Sequence, residues 1–161
     1  MSIDKAHDLI VLGADHRGTS SIKQLAETLN QQGFQTRVIG DCNAASCDYP
    51  ERAYEVGRAV ASGQARLGVL VCGTGIGMSI AANKVPGVRA AVAHDEMTAQ
   101  LSRSHNDANV LCLSADLLGQ RLIEKIVEVW IDTDFEGGRH ARRVRKIAAI
   151  EKGNDPATVV E

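Results

Sequence analysis

The chain has 161 residues, 44% of them hydrophobic and 24% charged, with a net charge of −2. That length suits one domain with one core, and the near-neutral balance lacks the broad basic surface of a nucleic-acid binder. No apolar run reaches the roughly 18–20 residues of a membrane span, and the polar stretch Met1 to Asp8 has no apolar centre of the kind a secretory leader needs, so the expected compartment is the cytoplasm.

Apolar runs then alternate with amphipathic stretches. Asp8 to Gly13 (DLIVLG) predicts a short buried strand. From Ser20 to Gln32 the residues Ile22, Leu25, Ala26 and Leu29 follow helical spacing, and Gly33 supplies the stop. Gln35 to Gly40 predicts a second strand, and Asp41 to Tyr49 a polar loop. Pro50 suits the first turn of a helix running to about Ser62, because its missing N–H is unneeded there. Leu67 to Cys72 (LGVLVC) is the most apolar strand and belongs in the middle of a sheet. A glycine-rich loop and a helix through Ala82 follow, then a strand at Val88 to Ala93, a helix at Asp95 to Ser104 and a strand at Val110 to Leu113. Leu117 to about Ile131 predicts a long helix, and after Gly137-Gly138 a last helix runs to about Lys152. Repeated strand–helix units argue for an α/β domain with a parallel sheet and helices on both faces. The domain fills residues 1–161, with a core at about 8–152 and a tail, 153–161, expected to be flexible. Ligands of such sheets bind beyond the carboxyl ends of the strands, so chemistry is expected after Gly13, Cys72 and Ala93 and near the loop after Gly40.

The cysteines, Cys42, Cys47, Cys72 and Cys112, show no CxxC or zinc-ligand spacing. A reducing compartment keeps such residues as thiols, although Cys42 and Cys47 share one loop and are close enough in sequence to pair. The five histidines form no HxxxH or HExxH pattern, and no metal is indicated.

Four clusters carry chemistry. Asp15-His16, between Gly13 and Gly18, offers two ionisable groups to substrate hydroxyls, or forms an ordinary polar turn. Cys72-Gly73-Thr74-Gly75-Ile76-Gly77 lets the backbone approach a ligand closely. Its N–H groups and the following helix N-terminus favour developing negative charge, and a thiol beside them has a route to the thiolate, the form that acts as a base. The alternative is a small buried hydrophobe ending an apolar strand. A dinucleotide fingerprint would need glycine where Met78 stands, although Asp95 follows the next strand as an acidic partner would. No GK[ST] ending exists, so a P-loop is excluded. His105, within Ser104-His105-Asn106-Asp107, could exchange protons near neutral pH or cap a helix C-terminus. Arg139, Arg142, Arg143 and Lys146 share one helical face, and cations in a first helical turn call for an anion such as phosphate, unless the face is merely solvated. A cysteine hydrolase on Cys72 and His105 is conceivable but leaves the arginines unused.

Together these segments resemble the type B ribose-5-phosphate isomerases, a family that also includes galactose-6-phosphate and allose-6-phosphate isomerases. The matching segments are GADHRG at 13–18, DYP at 48–50, CGTGIGMSIAANK at 72–84, HNDANVLCL at 105–113 and EGGRHARRV at 136–144. The resemblance implies a Rossmann-like three-layer αβα fold with a five-stranded parallel sheet and a C-terminal helix packed across a dimer. It implies active sites at the dimer interface, no cofactor, and a sugar phosphate as the small-molecule partner, with pairing of dimers into tetramers left open. The implied reaction interconverts ribose 5-phosphate and ribulose 5-phosphate. Cys72 matches the base that moves the proton between C1 and C2, and Thr74 with the N–H groups of Gly73, Gly75, Ile76 and Gly77 matches the enediolate cradle. His105 matches the acid that opens the furanose ring, with Asn106 beside it, both from the partner chain. Asp15, His16 and Tyr49 match substrate-binding positions, and Arg139 and Arg143 the phosphate pair. Some members use a glutamate where Met78 stands. Many carry an arginine where this chain has Asp116, and Arg142 is a candidate to replace that cation. A four- or six-carbon sugar phosphate, or a nucleotide- or sugar-phosphate-binding role without catalysis, are the alternative functions.

Overall fold

The computed structural model describes residues 3–5, 7–40 and 47–160. Five strands, β1 (Leu9–Ala14), β2 (Gln35–Ile39), β3 (Leu67–Cys72), β4 (Ala90–Val92) and β5 (Val110–Ser114), pair in the order β2-β1-β3-β5-β4, and every pair is parallel. Six helices accompany them: α1 (Thr19–Gln31), α2 (Tyr49–Ala61), α3 (Ile76–Ala82), α4 (Glu96–Ser104), α5 (Gln120–Asp132) and α6 (Gly138–Glu151). The fold is the three-layer α/β sandwich that the alternating pattern predicted.

The period-two alternation of the strands sorts side chains between two cores. Ile10, Leu12, Val69, Val71, Leu111 and Leu113 face α1, α4 and α5, where Leu25, Ala99, Ile126 and Trp130 meet them. Val11, Leu70, Val110, Cys112 and Cys72 face the other way, against Val56 and Val60 of α2 and Met78 of α3. All six residues of β3 are buried, as a central strand covered on both faces requires. Each large aliphatic removed from water in this way contributes about 1.5–3 kcal/mol. Small residues set how closely the helices approach. A Cβ on Gly68 would stand 2.6 Å from Val56 Cγ1 and one on Gly13 2.8 Å from Val56 Cγ2, so α2 can lie this near the sheet only over glycine.

Element ends differ from the sequence expectation by a few residues. Strand β4 is shorter than Val88–Ala93, because the chain leaves the turn at Pro86-Gly87 and pairs in the sheet only from Ala90 to Val92. Helix α5 begins at Gln120 rather than Leu117, because Ser114 Oγ accepts the Leu117 N–H and holds residues 115–118 in a turn. Asp95 is a cap rather than a helical residue, and the Thr98 N–H it accepts at 2.6 Å holds its carboxyl below the ordinary range. Helix α6 buries only His140 and Ala149 fully, and leaves Ile147 and Ile150 exposed. Beyond it the chain makes a 3-10 turn at Pro156–Thr158. No helix among the described residues is long and apolar enough to cross a membrane.

The thiol expectation holds for Cys72 and Cys112, both free and buried. Cys47 is disulfide-bonded, a correction to that expectation, and Cys42 lies outside the described residues.

Candidate active site

The strand order reverses between β1 and β3, and the loops that leave these two strands flank the crevice where such sheets bind ligands. Cys72 ends β3 with its side chain on the α2/α3 face. The chain then turns through Gly75 at φ 78°, and a Cβ there would stand 3.2 Å from the carbonyl carbon of Leu113, so this turn requires glycine twice over. The turn brings the Gly75 N–H to within 3.1 Å of Cys72 Sγ, as a donor to sulfur. Thr74 and Ile76 are exposed around it, and Thr74 Oγ1 accepts the Ile76 N–H at 3.3 Å. A side chain on Gly77 would meet the Tyr49 ring at 2.8 Å, so the tyrosine at the start of α2 lies directly on the loop.

The β1 loop closes from the other side. Asp15 is 6% exposed, and its Oδ1 accepts the Arg17 and Gly18 N–H groups at 2.8 and 3.2 Å. Its own N–H donates to Val71 O at 3.3 Å, which ties the loop to the last turn of β3. Exposed His16 lies beside it, its Nδ1 3.4 Å from Cys47 O. Asp15, His16, Tyr49, Cys72, Thr74 and the loop glycines therefore gather at one end of the sheet, as the sequence predicted. Cys112 is wholly buried in β5, and that burial pushes its thiol well above the ordinary range, so Cys72 is the thiol available to a ligand here.

The remaining candidates stand at the opposite end. Helix α4 runs back from β4, so its C-cap, His105, lies below the start of β5. In the sheet register Val110 stands beside Gly68 and Ser114 beside Cys72. At ~3.3 Å per residue the start of β5 is already about 13 Å from Cys72 along the strand, and His105 lies further back still. The candidate groups are therefore not confined to the carboxyl ends of the strands: His105 and Asn106 belong to the amino-terminal end because α4, which delivers them, runs antiparallel to the sheet, and Arg139 joins them from the start of α6.

This second cluster is held by side chains rather than by glycine. Asp107 adopts φ 47°, and its carboxylate is shared by Arg89 Nη2 and Arg103 Nη1, each at 2.8 Å. Arg89 Nε also donates to the carbonyl oxygens of Asn106 and Asp107, at 3.2 and 2.9 Å. The turn carrying His105 and Asn106 is thus clamped from behind. The Glu136 N–H donates to Ser104 O at 3.0 Å and so brings the start of α6 alongside. His140, 4% exposed, stacks on His105 with ring centroids 4.1 Å apart and planes 8° from parallel. Arg139 Nε donates to His140 Nε2 at 3.2 Å. Burial, then His105, Arg139 and Arg143, hold the His140 imidazole below its ordinary pKa, against the opposing pull of Glu136. Both Nε2 atoms lie near Glu136 Oε2, at 3.9 and 3.7 Å. Those three side chains bring possible ligand atoms within 4.8 Å of one another. Two nearly parallel, stacked rings cannot both aim an in-plane lone pair at one ion, however, so this arrangement orients His105 rather than chelates.

Two groups were not singled out from sequence. His140 and Glu136 lie within a matched segment, but their convergence on His105 depends on a contact between α4 and α6 that no local pattern reveals. Arg17 lies between two recognised residues, and its partner is 99 residues away: Arg17 Nη2 and Nε donate to Asp116 Oδ1 at 2.6 and 3.1 Å. The cation beside Asp116 within the chain is Arg17, whereas Arg142 lies on α6.

The comparisons with known proteins agree with this architecture. The ribose/galactose isomerase family model matches residues 10–147. Ribose-5-phosphate isomerase B of Escherichia coli is 43% identical over 143 residues, covering 89% of this chain and 96% of that one. D-erythrulose-4-phosphate isomerase of Pectobacterium atrosepticum is 40% identical, covering 88% and 94%. The structure of Mycoplasma genitalium ribose-5-phosphate isomerase B with bound ribulose-5-phosphate superposes with a TM-score of 0.87 at 41% identity, covering 91% and 97%. With the glycine loop at Cys72 and the His105 cluster both in place on the same sheet, the chain belongs to the ribose/galactose isomerase family and is an isomerase.

Proposed function

We propose that the chain interconverts ribose 5-phosphate and ribulose 5-phosphate through an enediolate, at a site completed by a second copy of itself. The observation that carries this reading is the Gly75 N–H directed at Cys72 Sγ, at the mouth of a loop of further N–H donors. In the forward direction His105 of the second copy delivers a proton to the ring oxygen while solvent water takes the O1–H proton and returns one to His105, and the furanose opens to the aldehyde. The Cys72 thiolate then takes the proton from C2. Electrons move to the carbonyl oxygen, and the resulting oxyanion is held by Thr74 and the N–H groups of residues 73–77. The same sulfur returns the proton to C1 while the O2–H proton passes to O1, giving the ketose and regenerating the thiolate. Asp15, His16 and Tyr49 bind hydroxyls, Asn106 lies beside His105, and Arg139 with Arg143 anchors the phosphate. A remote anchor of this kind directs binding energy to orientation at the reacting carbons.

The need for two copies follows from the separation of the clusters. One chain cannot bring His105 to its own Cys72, whereas a twofold axis places the amino-terminal end of one sheet beside the carboxyl-terminal end of the other. The exposed apolar residues of α6, Ile147 and Ile150, suit a helix that packs on that second copy. In this reading the enzyme is a cytoplasmic homodimer of the pentose phosphate pathway.

A different sugar is the second reading, favoured by Asp116 beside the loop and by the relative named for a four-carbon substrate. Measuring kcat/KM on the 5-phosphate of ribose, the 6-phosphates of allose and galactose, and the 4-phosphate of erythrose decides between them. Ribose 5-phosphate is expected to lead by at least about tenfold, a difference of ~1.4 kcal/mol in transition-state binding. A higher value on another sugar would replace the pentose assignment and leave the isomerase chemistry standing.

A further inference from the structure

We propose that Arg17, held in place by Asp116, is a further substrate-binding residue that grips the phosphate of the sugar from the Cys72 side. This inference rests on the sugar-phosphate reading above. It starts from where the pair lies. Ala115 N–H donates to Cys72 O at 2.8 Å and Asp116 N–H to Gly73 O at 3.1 Å, so the turn after β5 is laced to the first residues of the glycine loop. The Asp116 carboxylate stands over Gly73, where a Cβ would lie 2.9 Å from Oδ2 and 4.0 Å from Arg17 Cγ. The pair therefore forms one wall of the loop in which Cys72 sits.

The charge at this wall matters because the substrate is an anion. A lone carboxylate at Gly73 would repel a phosphate approaching the loop. Arg17 cancels that charge, and Asp116 raises its guanidinium pKa further by hydrogen bonding and charge, so the cation is permanent. Both donors engaged by Asp116, Nε and Nη2, are on one side of the fork and meet one oxygen. Among the described residues Nη1 has no hydrogen-bond partner, and the side chain is 55% exposed, which leaves that end of the guanidinium open to a second anion. Arginine can hold a carboxylate along one edge and a phosphate oxygen along another because its five donors are fixed in one plane. The pairing also costs Arg17 rotamer freedom before substrate arrives, so less is lost on binding. Asp116 is thus a positioning residue, and Arg17 is the group that touches substrate.

The test is a steady-state and binding comparison on the intact oligomer. Arg17→Ala is expected to raise KM for ribose 5-phosphate about tenfold with a smaller change in kcat, as loss of one charge-assisted phosphate contact predicts. Arg17→Lys should recover part of the loss. Asp116→Ala should raise KM by a smaller factor, and combining it with Arg17→Ala should add nothing to the arginine effect. Inorganic phosphate, titrated calorimetrically, should bind Arg17→Ala more weakly than wild type by a similar factor, and this arm does not depend on turnover. An unchanged KM and unchanged phosphate affinity, or a loss confined to kcat, would overturn the proposal. Wild-type protein that binds phosphate through Arg17 yet isomerises no sugar phosphate would instead overturn the reaction assigned above and leave the anion contact intact.

Discussion

The two ends of the sheet hold their functional groups by different means. At the carboxyl-terminal end the backbone does the work: a left-handed glycine turn, an N–H aimed at sulfur and loops tied to strand ends by main-chain hydrogen bonds. At the amino-terminal end the arrangement depends on side chains that reach across elements, with Asp107 between two arginines and His140 stacked on His105. The first kind of site is rigid because its geometry is written into φ, ψ and the absence of Cβ atoms. The second rests on contacts between side chains of separate elements.

That contrast sets the order of expected effects. On the proposed mechanism Cys72→Ala removes the base, and kcat should fall by about 10²–10⁴-fold while the substrate still binds, read by stopped assays and calorimetry together. Turnover within a few-fold of wild type would exclude the thiolate. His105→Ala removes the ring-opening acid, with an expected loss of about 10²-fold on ring-closed ribose 5-phosphate and a markedly smaller loss on a substrate that is already open-chain. Equal losses on both would assign His105 to some other step.

Gly75→Ala tests the backbone-built end through stability. The substitution forces a β-carbon into a left-handed turn and against the main chain of β5. Urea unfolding should show about 1–3 kcal/mol of destabilisation. A neutral result would mean the turn is not constrained as described.

The smallest effect belongs to His140. Its folded imidazole is held below the ordinary value chiefly by burial, with His105, Arg139 and Arg143 adding to the effect and Glu136 opposing it. The unfolded chain therefore takes up a proton near pH 6.5 that the folded chain refuses. Because the unfolded state binds more protons in that window, stability falls as pH drops below about 6.5 and is insensitive to this group above it. His140→Gln should flatten part of that slope in urea midpoints measured between pH 7.5 and 5.5. An identical slope in the variant would show that the imidazole is not held neutral.

How much of this was legible beforehand follows the same division. Helix and strand periods located the five strands and six helices but not the 3-10 turn at Pro156–Thr158, and the all-apolar LGVLVC segment identified the central strand, because burial on both faces leaves an unbroken apolar run. The Cys72 loop could be read because a backbone-built site appears in sequence as glycines at fixed spacing. His105 could be singled out locally as a proton-exchanging group or a helix C-cap, and it does cap α4, but only the resemblance gave it a catalytic role. The cluster's defining contacts, His105 on His140 and Arg89 and Arg103 on Asp107, join residues from different elements, and nothing local encodes them. Arg17 escaped for the same reason, since only the fold brings Asp116 to it.

The central claim is that each site takes its base from one chain and its acid from another. Mixing Cys72→Ala with His105→Ala protein under conditions that exchange subunits tests it directly. Random pairing makes half the dimers mixed, each with one intact and one doubly altered site, so about a quarter of wild-type activity should return from two inactive parents. A mixture as inactive as its parents, with exchange verified by mass, would contradict the account.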